Sequence, residues 1–391
     1  MKILFLAPEP FFETRGTPIA IWNLAKVLCG SGHQVDLVTY HLGEKVQLEN
    51  LRLLRIPNIF FIKKVPIGPS YRKLFLDKFL FLKAFFLCLK NKYDVIHGVE
   101  EGAYLGAILS KIFRKPLVYD MDSNIPDQLK YSGFRAIPFL KGLIDWFDRF
   151  TINRSAAIIS VCSDLSRRVV EKYPNKKLFQ IEDLPLFEET QPETTKIADL
   201  KKKFGLGEGP VLLYTGNFEQ YQGVELLVEA ARKLATEGAA ATWVLVGGEE
   251  KQIERLKVLF RAAALEKNFI FTGKKPLEEI PLFLALADVL ISPRLKGTNV
   301  PMKIYSYLYS GKPIVATKIL AHTQVLDEKT AVLVEPEPDS LFQGILTVLK
   351  SPALARDLGI AARRLAEQNF NRKIYQAKVK EAYHYLEGIQ V

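Results

Sequence analysis

The chain has 391 residues, a formal net charge of +11, and 48% hydrophobic against 25% charged residues. That length is too great for one ordinary core and suits two domains, and the composition is that of a soluble globular protein, which sets aside disordered and membrane-embedded classes. Cys29, Cys88 and Cys162 have neither metal-like nor paired spacing, so a disulfide framework is not expected and a reducing, cytoplasmic setting is.

Met1-Lys2 runs directly into an apolar strand at 3–6, too short for a signal peptide or a membrane span. A loop with Gly16 follows, then a periodic helix at 19–28 that stops at Gly30, and a strand at 35–40. Short strands are expected at 51–56 and 59–62, on either side of Pro57, and buried strands at 95–97, 117–119 and 157–161. Helices fill the intervals. Strands alternating with helices of this length predict a parallel sheet covered on both faces.

The helix at 71–89, from Tyr71 to Leu89, is unusually greasy. Its polar residues, Lys73, Asp77, Lys83 and Lys90, form only a narrow stripe, and these charges argue against a clean span. Between Arg52 and Lys92 ten Lys/Arg face one acid, Asp77. Two readings stand: a helix wedged into the domain core, or a basic aromatic surface resting on an anionic bilayer through Lys63, Lys64, Arg72, Lys73 and the helix itself. Nucleic acid is not expected, because a phosphate-tracking surface need not be so apolar.

The polar stretch 188–196 reads as a linker, dividing the chain into 1–187 and 188–391. A second alternating series follows, with strands at 211–214, 243–246, 269–272, 289–292, 314–317 and 331–334. Helices are expected at 224–234 and 277–287, and three more, at 340–350, 353–368 and 372–386, close the chain. Two parallel-sheet domains that open their loops at strand C-terminal ends predict a ligand cleft between them.

The segment 297–317 reads loop, helix, tight turn, strand. Gly297 and Asn299 permit unusual backbone angles, Pro301 suits a helix start, and Gly311 followed by Pro313 ends the helix. A small-residue loop feeding a helix N-terminus holds anions, and Arg294, Lys296 and Lys303 gather there. The other candidate phosphate loops surround Gly16 and Gly216. The sequence contains no Walker loop, zinc spacing, Ser/His/Asp arrangement or Gly-x-Gly-x-x-Gly after a strand, so no metal or organic cofactor is expected.

Motifs spread over nearly the whole chain point one way: Arg15-Gly16-Thr17-Pro18, Tyr93-Asp94-Val95-Ile96-His97, Tyr119-Asp120-Met121-Asp122, Tyr214-Thr215-Gly216-Asn217, Leu245-Val246-Gly247-Gly248, and Pro301-x-Lys303-x-x-Ser306-Tyr307-x-x-Ser310-Gly311-Lys312-Pro313. In this order they resemble the retaining glycosyltransferases of family 4, with the GT-B fold: two Rossmann-like parallel-sheet domains facing a central cleft. The resemblance implies transfer of a hexose from a nucleotide-sugar, bound by the second domain, to a saccharide or lipid-linked acceptor held by the first. The diphosphate would lie at the helix start near Gly297, Thr298, Asn299 and Lys303, Gly16 would approach it, and the base would sit near Gly247. The chain departs from the family pattern where Thr298 and Ser306 replace two glutamates and where Asn217 and Gln222 replace an arginine and a lysine. Asp122 lies near a common family histidine and, with His97 at a strand end, is a catalytic candidate. A buried, hydrogen-bonded His97 is the alternative. His322 is placed either near the donor or in a helix cap. The substitutions leave open a degenerate protein that binds a nucleotide or partner without turnover. An epimerase or phosphorylase would need further catalytic acids or a cofactor lysine.

Overall fold

A computed structural model describes residues 1–66, 68, 70–126, 138–187 and 192–389, with the backbone alone at 138–141. It contains two compact units, Met1–Asp183 together with Lys373–Val391, and Leu184–Arg372.

The first unit is built on seven parallel strands: β1 (Lys2–Leu6), β2 (Gln34–Thr39), β3 (Leu51–Arg55), β4 (Val95–Val99), β5 (Leu117–Met121), β6 (Ala157–Ser160) and β7 (Leu178–Gln180). Their spatial order is β3-β2-β1-β4-β5-β6-β7. The central strands are continuous apolar runs because helices cover both faces. Phe5 of β1 lies in register with Leu37 on one side and His97 on the other. The chain winds outward in one direction from β1 and in the other from β4. Their C-terminal loops therefore part at a topological switch point, the usual place for a ligand crevice in an open α/β sheet.

The second unit repeats this plan with six parallel strands: β8 (Val211–Thr215), β9 (Thr242–Val246), β10 (Phe269–Gly273), β11 (Val289–Ser292), β12 (Ile314–Thr317) and β13 (Val332–Val334). The order is β10-β9-β8-β11-β12-β13, which puts its switch point between β8 and β11. Trp243, Phe260 and Phe269 stack in a core that the Leu226–Thr236 and Pro338–Lys350 helices close.

Several expectations need correction. No strand forms at 59–62: the Ile62 N–H returns to the Ile59 carbonyl at 2.9 Å in a local turn. The 188–196 linker falls partly on residues outside the described set, and its end already belongs to a helix, Thr194–Lys203, which buries no side chain and carries a Lys196–Glu193 ion pair. Lys373–Val391 packs with the first unit, whereas the sequence assigns it to the second. Its Arg372–Gly388 helix sends the Tyr383 hydroxyl to His97 Nδ1 at 2.8 Å and pairs Lys378 with Glu182. β7 escapes prediction because it is only three residues long.

Candidate active site

In the second unit the loops after β8 and β11 and the start of the Met302–Ser310 helix converge at the switch point. Lys303 lies in the first helical turn and is buried. Its ammonium donates to Gln222 Oε1 at 3.3 Å and stands 3.9 Å above the Tyr214 ring. Arg294, also buried, donates from Nε to the Lys296 carbonyl at 2.7 Å, from Nη2 to Asn299 Oδ1 at 3.3 Å, and lies over the Tyr221 ring. Among the described residues neither cation has a carboxylate partner. Burial, and secondarily Arg294, pushes the Lys303 ammonium well below the ordinary lysine range, and burial also lowers Arg294. Two neighbouring buried cations balanced only by neutral oxygens and ring faces are an electrostatic deficit that an anion would fill.

The glycines here are requirements of shape. Gly216 has φ +141° and Gly297 has φ +132°, both poorly tolerated by residues with a Cβ. A Cβ on Gly216 would meet the Tyr214 hydroxyl at 3.1 Å and the Lys303 ammonium at 3.4 Å, and one on Gly297 would collide with the Arg294 guanidinium. Gly247, at the end of β9, lies against the Gly216 backbone. The structure thus joins Gly216, Gln222, Gly247, Arg294, Gly297, Asn299 and Lys303 in one place.

Other expected site residues are engaged within the chain. The Ser306 hydroxyl is buried and accepts the Leu186 N–H at 3.0 Å, so it also holds a loop. The Asn217 side chain accepts the Glu219 N–H at 3.2 Å, and the Thr298 carbonyl accepts from Gln324 Nε2 at 2.6 Å. Lys296 is exposed and contributes its carbonyl to Arg294. His322 is buried. Its Nδ1 lies 2.7 Å from the Thr317 carbonyl, which can only accept, so Nδ1 carries the proton and Nε2 accepts from the Ser292 hydroxyl at 2.9 Å. Burial lowers its pKa to about 3, and the neutral ring ties β11 to β12.

In the first unit His97 has no exposed surface. Its Nε2 lies 3.1 Å from Asp120 Oδ2, its Nδ1 meets the Tyr383 hydroxyl, and Phe5 packs against the ring at 4.2 Å. Both nitrogens of His97 thus have partners inside the fold. Asp122 shares a small cavity with Asp120, Asp183 and Tyr375. Burial raises it well above the usual carboxylate range, with Asp120 and Glu100 adding to the rise and a hydrogen bond from Thr17 opposing it. That bond places Asp122 beside the Gly16 helix start.

The sequence does not reveal the aromatic floor, Tyr214, Tyr221 and Tyr307. Tyr307 accepts the Thr215 N–H at 2.8 Å and so joins the helix to β8. The available signal is the alternation Tyr305-x-Tyr307-x-Tyr309 on a helix that also carries a buried lysine. Nor does it reveal the first unit's charge cluster. Lys73 meets Glu9 at 3.0 Å and Glu101 at 3.1 Å, and the Tyr40 hydroxyl donates to Asp77 at 2.6 Å.

Comparison with known proteins agrees with this geometry. Residues 14–181 match the model described as Glycosyltransferase Family 4, and residues 209–351 match Glycosyl transferases group 1. The chain belongs to glycosyltransferase family 4. This family 4 chain is 23% identical over 248 residues to alpha-D-kanosaminyltransferase of Streptomyces kanamyceticus, covering 61% of its own length and 62% of the relative's. It is 26% identical over 198 residues to the GDP-mannose-dependent alpha-(1-6)-phosphatidylinositol monomannoside mannosyltransferase of Mycolicibacterium smegmatis, covering 49% and 52%. The match therefore spans about half to three-fifths of these two relatives. Sucrose-phosphate synthase from Thermosynechococcus elongatus has the same GT-B fold, with a TM-score of 0.81 at 19% identity over 99% of both chains. Anabaena HepE in complex with UDP-glucose gives 0.75 at 18% identity, over 98% of this family 4 chain and 99% of HepE.

Proposed function

We propose that this glycosyltransferase moves a hexose from a nucleotide-sugar to a saccharide or lipid-linked acceptor with retention of anomeric configuration. The observation that carries the reading is the pair of buried cations, Arg294 and Lys303, at the β8/β11 switch point, with no carboxylate partner among the described residues. A diphosphate supplies the missing negative charge. When the bond from the sugar's anomeric carbon to the leaving phosphate oxygen breaks, charge grows on the diphosphate, and preorganised cations stabilise it. The acceptor oxygen forms the new bond to that carbon on the same face and passes its proton to the departing phosphate oxygen. The HepE complex contains UDP-glucose and the mycobacterial relative is named for GDP-mannose, which supports a nucleotide-sugar donor of either base.

The cation missing from position 222 has a counterpart here. Gln222 offers a carbonyl oxygen to Lys303 at 3.3 Å, whereas a lysine at that position would add a third positive charge beside it. With two cations in the pocket, the diphosphate's charge is met without a resident metal, and activity is expected to survive EDTA. A lipid-linked acceptor would be met at the inner face of a membrane. No described helix is long and apolar enough to cross one.

The test is proton NMR of the product formed from a UDP- or GDP-hexose and a saccharide acceptor mixture. A product with the donor's anomeric configuration supports the reading. Inversion contradicts retention. Tight donor binding with no transfer to any acceptor favours the binding protein without turnover, for which Asn217, Gln222, Thr298 and Ser306 are the motivating residues.

A further inference from the structure

The Tyr71–Lys90 helix carries apolar side chains on its buried face, Leu76, Leu80 and Ala84, and on its exposed face as well. A surface helix normally turns its apolar stripe to the core and its charges to water. Here two charges point inward, Lys73 at 2% exposed and Asp77 at 7%, while Arg72, Lys78 and Lys90 stay at the surface. Lys73 reaches Glu9 and Glu101, and Asp77 accepts from Tyr40. The outward stripe is apolar. Tyr71, Phe75, Leu82, Phe86 and Leu89, at helical spacing, are all exposed, with Phe86 at 56%. The stripe continues into the preceding loop, where Phe60 and Phe61 are 79% and 64% exposed and Phe61 packs on Phe75. The neighbouring Glu101–Phe113 and Pro138–Arg154 helices add Ile112 and Trp146, so one face of the first unit presents most of the large apolar side chains exposed among the described residues.

We propose that this three-helix face docks on an anionic lipid bilayer, with Phe60, Phe61, Phe75 and Phe86 entering the headgroup boundary. Charge decides between occupants. Exposed Lys63, Lys64, Arg72, Lys78, Lys90 and Lys92 border the stripe, and the sole acid between Arg52 and Lys92 is the buried Asp77. A second copy placed symmetrically would bring one cationic border against the other, which like charges disfavour. An anionic bilayer matches both features, apolar depth for the rings and negative headgroups for the cations. Lys73 is thereby removed from the residues expected to touch lipid and becomes the tie that seats the helix.

That tie sets the geometry. Glu9 follows β1 and Glu101 follows β4, so Lys73 fixes the first turn of the docking helix at the C-terminal edge of the sheet, at its switch point. Docking would hold that edge beside the membrane surface. This consequence for a lipid-linked acceptor rests on the transferase reading above, whereas the docking stands on the surface alone.

The test is co-sedimentation of the full chain with phosphatidylcholine vesicles, with and without phosphatidylglycerol, at low and high salt, alongside light scattering for oligomeric state. Binding is expected to the anionic vesicles only and to weaken with salt. Lys63→Gln with Lys64→Gln should weaken it roughly 30-fold, the factor for two cations at an anionic surface. Phe86→Ser with Leu89→Ser should weaken it further without lowering Tm, because both side chains are already exposed. Absence of salt-sensitive binding, or a dimer that Phe86→Ser dissociates, overturns the proposal. Calorimetric titration with UDP and GDP on the same samples separates the two readings: vesicle binding without nucleotide binding would sink the transferase reading and leave the docking face standing.

Discussion

Replacing Lys303 by methionine keeps the aliphatic stem over Tyr214 and removes only the charge, so it isolates the electrostatic role assigned to this residue. In the ligand-free protein Lys303 is buried near Arg294 with no carboxylate partner among the described residues, so its charge is unfavourable there. Removing it should stabilise the second unit by about 1 kcal/mol, a Tm rise of about 2–4 °C for a unit of this size. In the complex the balance reverses. A buried ammonium against a diphosphate is a charge-assisted contact whose removal costs about 2–4 kcal/mol, or roughly 30- to 1,000-fold in Kd. Differential scanning fluorimetry with and without the nucleotide-sugar reads both effects, since a ligand that binds only the folded state raises Tm by mass action. The expected pattern is a higher baseline Tm with the ligand-induced rise lost. A lower baseline Tm together with an unchanged ligand response would refute the reasoning, because Lys303 would then be structural.

Further predictions concern shape and charge in each unit. Gly297→Ala places a Cβ against the Arg294 guanidinium at a backbone angle alanine resists, so stability should fall by about 1–3 kcal/mol and donor affinity with it, read by thermal melting and calorimetry. His97→Phe leaves Asp120 and the Tyr383 hydroxyl without their partner, which should cost the first unit about 3 kcal/mol while the nucleotide Kd of the folded protein stays unchanged. Burial, then Asp120 and Glu182, raise Asp183 to about 7, above its unfolded value of about 3.9. The folded state therefore retains a proton that the unfolded state releases. This contribution to stability is fully present below the unfolded value and is lost as pH rises through about 7, so Asp183→Asn should flatten the fall in Tm between acidic and mildly alkaline buffer.

Much of the fold is legible in the sequence because a parallel sheet covered on both faces writes its strands as unbroken apolar runs. The runs at β1, β4, β8 and β11 are of this kind, and their alternation with helices dictates the topology. The Gly297–Lys303 region is legible for a local reason: glycine, proline and lysine each mark a backbone or charge requirement at a helix start. What the sequence hides depends on distant partners. The partner of His97 Nδ1 is Tyr383, far along the chain, and no local pattern announces it. The Leu186 N–H that Ser306 accepts is likewise distant in sequence. Lys73 and Asp77 read as the wet stripe of a greasy helix. Their inward direction follows from Glu9, Glu101 and Tyr40, which approach only once the sheet has formed.

The central claim is that the second unit seats a nucleoside diphosphate between the β8 and β11 loops. A crystal structure of the protein grown with UDP and, separately, with GDP tests it most directly. The account predicts one of the two bound, with diphosphate oxygens within hydrogen-bond reach of Lys303 Nζ and Arg294 at the first turn of the Met302–Ser310 helix. A diphosphate seated elsewhere, or an empty switch point at saturating concentrations of both nucleotides, would contradict it.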